Sequence, residues 1–229
     1  MRPLIVAHRG APDRVPENSL AAFRAVRASG ADGVELDVHA TRDGALLVHH
    51  DARLGPEARI GELDLAAARR HRLADGQPPP TLDEALRVLD PGLRVFVEVK
   101  SLPPLLEPEL LAVLDHGPNP RGYAVHSFDH RIVRRLGGLR PTLARGILSA
   151  SYPVHPLAAL EDAGARMLWQ QGDLVDRELV DLMHKTGREL VVWTLDRPDD
   201  ITRCAQFGVD AICTNRPALA RETIRALRG

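Results

Sequence analysis

Aromatic residues make up only 3% of this 229-residue chain, although 44% of it is hydrophobic. A core built from such a sequence must be aliphatic, made of Leu, Val, Ile and Ala. Cysteine is equally scarce: Cys204 and Cys213 are the only two, and they form no Cys-x-x-Cys pair. One falls in a helix-like stretch and the other in a strand-like one, so each reads as a small buried hydrophobe and fits a reducing cytoplasm. An excess of one charge sign is also lacking. The formal net charge of −1 argues against a broad electrostatic surface for nucleic acid or anionic lipid. No run is long and apolar enough to span a bilayer, so no integral membrane segment is expected. The apolar opening stretch breaks at Arg9-Gly10, too early for a secretory signal, and a cytoplasmic protein is the expectation. A chain of this length can hold a single α/β domain with ample core.

What the chain does have is alternation. Strand-like runs occur at residues 4–7, 34–38, 94–99, 122–126, 143–148, 167–170, 190–194 and 211–213. Helix-period segments occur at 19–28, 82–89, 105–114, 130–136, 156–162, 176–185, 199–207 and 217–227. Thr81-Leu-Asp-Glu84 is a capping box, Asn18 or Ser19 can cap the first helix, and Gly30, Gly164, Gly187 and Gly208 follow helix ends. Eight βα repeats predict a closed (β/α)8 TIM barrel rather than an open sheet. One interruption, about residues 39–80, follows the second strand. It contains an Asp43-Gly44 hairpin turn, a stretch of undecided form at 54–60, a helix at 63–71 and Pro78-Pro79-Pro80. With few large apolar residues, it reads as an insertion at the barrel mouth within a single domain spanning residues 1–229.

Functional groups of such a barrel sit at the carboxyl ends of its strands. The first strand ends His8-Arg9-Gly10, the second carries Glu35 and Asp37, and the third ends Glu98-Val99-Lys100. Side chains alternate along a strand, so Glu35 and Asp37 share one face across Leu36, as do Glu98 and Lys100. An edge strand with one solvated acidic face would show the same spacing. The flanking Val34, Leu36 and Val38 argue instead for a buried central strand, where two unpaired acids are costly. A hard cation removes that cost, and three carboxylates suit Mg²⁺ or Ca²⁺; zinc fits less well without nearby cysteines or clustered histidines. Arg9 and Lys100 add positive charge for an anionic group, the arginine fork matching phosphate oxygens. His8 and His50 can supply a base and an acid near neutral pH. Trp193, at the seventh strand end, is a candidate pocket wall. Glu17 and Asn18 read as loop-ordering and helix-capping groups near Arg9, while His126 and Ser127 stay unassigned. The set indicates cleavage of a phosphate ester.

Several segments together resemble the glycerophosphodiester phosphodiesterase family: Ala-His8-Arg9-Gly10, Pro16-Glu17-Asn18-Ser19, Gly33-Val-Glu35-Leu-Asp37-Val, Thr41-Arg-Asp-Gly44, Val48-His-His50-Asp51 and Val-Glu98-Val-Lys100. Ser127-Phe128-Asp129, Val192-Trp193-Thr194 and Gly208 through Pro217 continue it to the end of the chain. The resemblance implies a metal-dependent phosphodiesterase on a TIM barrel with a small inserted subdomain. It implies that Glu35, Asp37 and Glu98 hold the metal, that Arg9 and Lys100 engage the phosphate, and that His8 and His50 are the acid/base pair. The family pattern of histidine directly before aspartate selects His50 over His49. The implied reaction converts a glycerophosphodiester, such as glycerophosphocholine or glycerophosphoethanolamine, to glycerol 3-phosphate and an alcohol. The glycerol 2-hydroxyl attacks phosphorus and water opens the cyclic product, with His8 as base and His50 as acid or the reverse. Ala52-Arg-Leu-Gly-Pro56 after His50-Asp51, and Asn215 where aspartate is commoner, depart from the pattern near the rim. Two alternatives remain. A lysophospholipase D-type enzyme would need an apolar rim, of which the insertion gives little sign. A non-catalytic phosphodiester-binding barrel would lack at least one of His8, Glu35, Asp37, His50 or Glu98, and all are present.

Overall fold

The computed structural model describes residues 2–10, 15–56 and 58–227. In chain order the strands are β1 (Leu4–Ala7), β2 (Gly33–Ala40), β3 (Leu46–Val48), β4 (Arg53–Leu54), β5 (Ala58–Arg59), β6 (Arg94–Ser101), β7 (Tyr123–Ser127), β8 (Ala144–Ser149), β9 (Met167–Gln171), β10 (Glu189–Trp193) and β11 (Ala211–Thr214). The α-helices are α1 (Leu20–Ala25), α2 (Leu65–Ala68), α3 (Leu82–Val88), α4 (Glu107–His116), α5 (His130–Leu139), α6 (Ala158–Ala163), α7 (Arg177–Lys185), α8 (Pro198–Phe207) and α9 (Pro217–Ala226). β1, β2 and β6 through β11 pair in parallel, and β1 bonds to both β2 and β11, which closes the ring. The chain is a TIM barrel.

Alternation along the strands sorts the core into two shells. Inward-facing Val6, Phe96, Ala124, Leu148, Met167, Trp169, Val191, Ala211 and Cys213 fill the barrel. Outward-facing aliphatics pack beneath the helices. Both cysteines are buried and unpaired. No helix of the described residues is long and apolar enough to cross a membrane.

Helix ends follow their capping chemistry. Ser19 accepts from the Ala22 N–H to start α1, and the Thr81–Glu84 capping box starts α3. Two helices are shorter than their sequence pattern. α1 gives way after Ala25 to a 3-10 turn that ends at Gly30 with φ 78°, a left-handed conformation suited to glycine. Among the described residues of the insertion only α2 is α-helical, capped by Asp64 and ending at Arg69, with a 3-10 turn at Ile60–Glu62 before it. The undecided 54–60 stretch contributes to a two-stranded ribbon, β4 against β5. The insertion starts as a continuation of the barrel, since β3 pairs antiparallel with the far end of β2, and Leu47, Leu54, Ile60 and Ala68 make a small core under it.

The amino-terminal rim is tied by Asp32, the residue before β2. Its carboxylate accepts from the Ile5 N–H, from Arg2 and from Arg221 of α9, each at 2.9 Å. Burial alone would raise its pKa, but the donors from Arg2, Ile5 and Arg221 outweigh burial and lower it from 3.8 to about 2. The folded value is the lower one, so this stabilisation is fully present above the unfolded pKa of 3.8 and is lost as pH falls through about 2. Asp32 is 20% exposed, and solvent screens part of the effect. Asp32→Ala is therefore expected to cost about 1–2 kcal/mol at neutral pH. The gap between urea midpoints of variant and wild type should begin to narrow below about pH 4 and close towards pH 2; a pH-independent gap would remove the electrostatic account.

Candidate active site

The polar groups collect at the carboxyl ends of β1, β2 and β6, which are neighbours in the ring. Asp37 of β2 stands in register with Glu98 of β6. Lys100, two residues further on, places Nζ 2.7 Å from Glu98 Oε1 and 3.1 Å from Asp37 Oδ1. Asn18 Nδ2 donates to Asp37 Oδ2 at 2.7 Å, and Arg9 Nε lies 3.3 Å from the same oxygen. The Arg9 N–H donates to Glu35 Oε2, and its guanidinium is held by Glu17 at 2.8 Å. Asn18 and Arg9 both take φ near 53°. The sequence offers Asn18 or Ser19 as the cap of the first helix; Ser19 caps α1, and Asn18 is a buried support for Asp37.

The three acids respond differently to this setting. Burial, then the Asp37 and Glu98 charges, pushes Glu35 well above the ordinary carboxylate range. Burial raises Glu98 to about 7 against the pull of Lys100. Asp37 is as buried, yet Lys100, Arg9 and Asn18 overcome desolvation and bring it below its usual value. Among the described residues, Glu35 Oε1, Asp37 Oδ1 and Glu98 Oε1 are buried without a hydrogen bond of good geometry, the Lys100 contacts being ion pairs only. Buried unsatisfied oxygens of this kind, converging from two strands, fit a divalent cation.

His8 follows β1 and is fixed by a relay the sequence does not announce. Asn215 donates its Nδ2 to Asp196 Oδ2 at 2.7 Å, which turns Asn215 Oδ1 to His8 Nδ1 at 2.7 Å. A carboxylate only accepts, so the amide orientation is determined, and His8 must donate from Nδ1. Its Nε2 is left with a lone pair, 3.9 Å from Glu35 Oε2. Burial and the Arg9 charge lower the His8 pKa, which keeps the ring neutral near pH 7. His50 lies just beyond β3. Its Nδ1 donates to Asp51 Oδ1 at 2.8 Å, and its carbonyl oxygen accepts from His39 Nε2 at 3.1 Å. His49 donates to the Asp51 carbonyl oxygen and meets His71 edge-on, away from the site.

These groups share one cavity. Its polar side is His8, Arg9, Glu35, His50, Glu98 and Lys100; its other side is Phe128, Trp169, Trp193, Cys213 and His126. Trp193 does line the pocket, with Nε1 donating to the Trp169 carbonyl oxygen and Phe128 against its ring edge. His126, left unassigned from sequence, is buried and stacks flat on Trp169 with ring centres 4.0 Å apart. Burial drops its pKa to about 3, so the imidazole is neutral. Donor atoms of Glu35, Glu98 and His126 all lie within 4.8 Å of one another; Asp37 is outside this trio, its carboxylate engaged by Lys100, Arg9 and Asn18.

Residues 8–219 match the model of the glycerophosphoryl diester phosphodiesterase family. The chain belongs to that family. The glycerophosphodiester phosphodiesterase of Caldanaerobacter subterraneus subsp. tengcongensis is 32% identical over 98% of this chain and 99% of its own. Two solved structures share the fold of the phosphodiesterase. A glycerophosphodiester phosphodiesterase from Parabacteroides distasonis superposes with a TM-score of 0.90 at 22% identity, covering 100% of this chain and 99% of that one. An Oleispira antarctica phosphodiesterase in complex with the product sn-glycerol-3-phosphate does so at 0.86 and 24%, covering 98% and 97%.

Proposed function

We propose that the protein hydrolyses glycerophosphodiesters such as glycerophosphocholine or glycerophosphoethanolamine to glycerol 3-phosphate and the free alcohol, with one divalent cation, Mg²⁺ or Ca²⁺, held by Glu35, Asp37 and Glu98. The observation that carries this is the convergence of His8, His50, Arg9 and Lys100 on the cavity lined by Glu35 and Glu98. The product bound by the Oleispira antarctica enzyme supports the same product class. Two buried, unpaired cysteines favour a reducing, cytoplasmic setting.

A cation bound there supplies Lewis-acid polarisation of a phosphoryl oxygen. The protein's own groups do the rest. Arg9 and Lys100 bind and orient the phosphate oxygens. His8 Nε2, with its lone pair exposed by the Asn215 bond to Nδ1, takes the proton of the glycerol 2-hydroxyl as that oxygen attacks phosphorus. His50, steadied by Asp51 and by His39 through its backbone, protonates the departing alcohol oxygen. Water then opens the cyclic phosphodiester with the histidine roles exchanged.

Glycerol 3-phosphate release should require the added ion, vanish with chelator and drop below detection in Glu35→Ala. Calorimetry should show ion binding to the wild type and its loss in that variant. Ion-independent release would overturn the metal assignment. A second reading, a lysophospholipase D-type activity, has one observation in its favour. An apolar rim does exist, not on the insertion but on the loops after β6, β7 and β8, where Leu105, Phe128, Tyr152 and Val154 are exposed. A parallel assay with lysophospholipids separates the two.

A further inference from the structure

We infer that His126 is a direct ligand of the cation, so that this site is a mixed oxygen and nitrogen site with a preference for Mn²⁺, Co²⁺ or Zn²⁺ over Mg²⁺ and Ca²⁺. The inference rests on the reading of Glu35 and Glu98 as metal ligands. It concerns a residue outside the acid set, and the ion that residue selects.

Three independent observations place the imidazole in the coordination sphere. Glu98 and His126 are register partners on β6 and β7, so their side chains leave the sheet on the same side, into the barrel mouth. A His126 ring nitrogen and one oxygen each of Glu35 and Glu98 lie within 4.8 Å of one another, close enough for a single ion to contact all three. His126 Nδ1 and Glu35 Oε1 are buried and have no hydrogen-bond partner among the described residues, while Glu98 Oε1 has only its ion pair with Lys100. Leaving a buried ring nitrogen unpaired is unfavourable, and the face-to-face stack on Trp169 keeps the ring from rotating out to find water. A cation at that point would partner the unpaired Glu35 oxygen and the imidazole together, with Glu98 shared between it and Lys100.

The donor set then decides which cation. An all-carboxylate site suits Mg²⁺ or Ca²⁺, whereas an imidazole nitrogen favours the borderline first-row ions along the series from Mn²⁺ to Zn²⁺. The sequence-based preference for Mg²⁺ or Ca²⁺ counts only the acids.

The test is calorimetric titration of chelator-stripped full-length protein with Co²⁺, Mn²⁺, Mg²⁺ and Ca²⁺, for the wild type and His126→Phe. Phenylalanine keeps a ring to stack on Trp169 and removes only the nitrogen. In the wild type, Co²⁺ should bind about tenfold or more tighter than Ca²⁺. His126→Phe should weaken Co²⁺ by about 10- to 100-fold and leave Ca²⁺ little changed, collapsing the ratio between the ions. The Co²⁺ visible absorption should lose intensity or shift in the variant. As a check free of substitution, ring-nitrogen NMR of the wild type should show the His126 signal shifting on Zn²⁺ addition. If Ca²⁺ and Co²⁺ bind with the same ratio in both proteins, and the ring signal stays still, His126 is a packing residue and the acid-only site stands. If the wild type binds none of the four ions, both this inference and the metal reading fall.

Discussion

His8→Ala and His50→Ala should each lower kcat for glycerophosphodiester cleavage by about 10²- to 10⁴-fold, with unfolding midpoints close to wild type. Neither ring is part of the packed core. His50 is 36% exposed and among the described residues its side chain bonds only to Asp51, so its removal costs little stability. His8 loses one hydrogen bond to Asn215, about 1 kcal/mol, while Asp196 keeps Asn215 in place from the other side. The roles separate with a substrate whose leaving group is an activated phenolate. Such a group departs unprotonated, so it should restore much of the rate in His50→Ala and little in His8→Ala. Rescue of His8→Ala instead would reverse the acid and base assignments. Wild-type rates in both single variants would remove the histidines from the mechanism.

The second large effect is on stability. Lys100→Ala leaves Asp37 and Glu98 facing each other in a buried site without the ammonium that contacts both. Removing one partner of a buried ionic cluster costs about 3–5 kcal/mol, because the remaining charge is uncompensated. Asp37 keeps Arg9 and Asn18, which places the expected loss near the lower end, about 3 kcal/mol. The measurement is the urea midpoint in chelator at unchanged m-value. Adding a divalent ion should return part of the loss, since an ion that binds only the folded state stabilises it by mass action. A chelated variant as stable as wild type would mean that a proton, not the lysine, neutralises the acids.

The barrel was readable because its determinants are local. Each strand is a short aliphatic run, most helices carry their own cap or terminal glycine and α9 starts at a proline, and eight repeats leave few other topologies. Glu35, Asp37, Glu98 and Lys100 were readable for the same reason, since alternation within one strand places each pair. What stayed hidden are contacts made across the ring. Asn215 reaches His8 over 207 positions and exists only because β11 closes on β1. Asn18 and Ser19 were equal candidates for the helix cap; Ser19 takes it, and Asn18 turns inward to Asp37. His126 sits in an apolar run where a core histidine looks the same as a ligand; its register with Glu98 was the available signal. The insertion was outlined only coarsely, since its short helix and ribbon gather around a small core of Leu47, Leu54, Ile60 and Ala68 that shows no regular period in the sequence.

The aromatic poverty of the chain has an optical consequence. Its two tryptophans, Trp169 and Trp193, both line the cavity, one stacked on His126 and the other against Phe128. There is no third indole elsewhere to dilute them. Under excitation selective for indole, the fluorescence of the whole protein is the fluorescence of its site. A paramagnetic ion beside His126 would quench Trp169, and an alcohol group arriving at the mouth would shift the emission of Trp193. Occupancy could thus be followed in native, unlabelled protein.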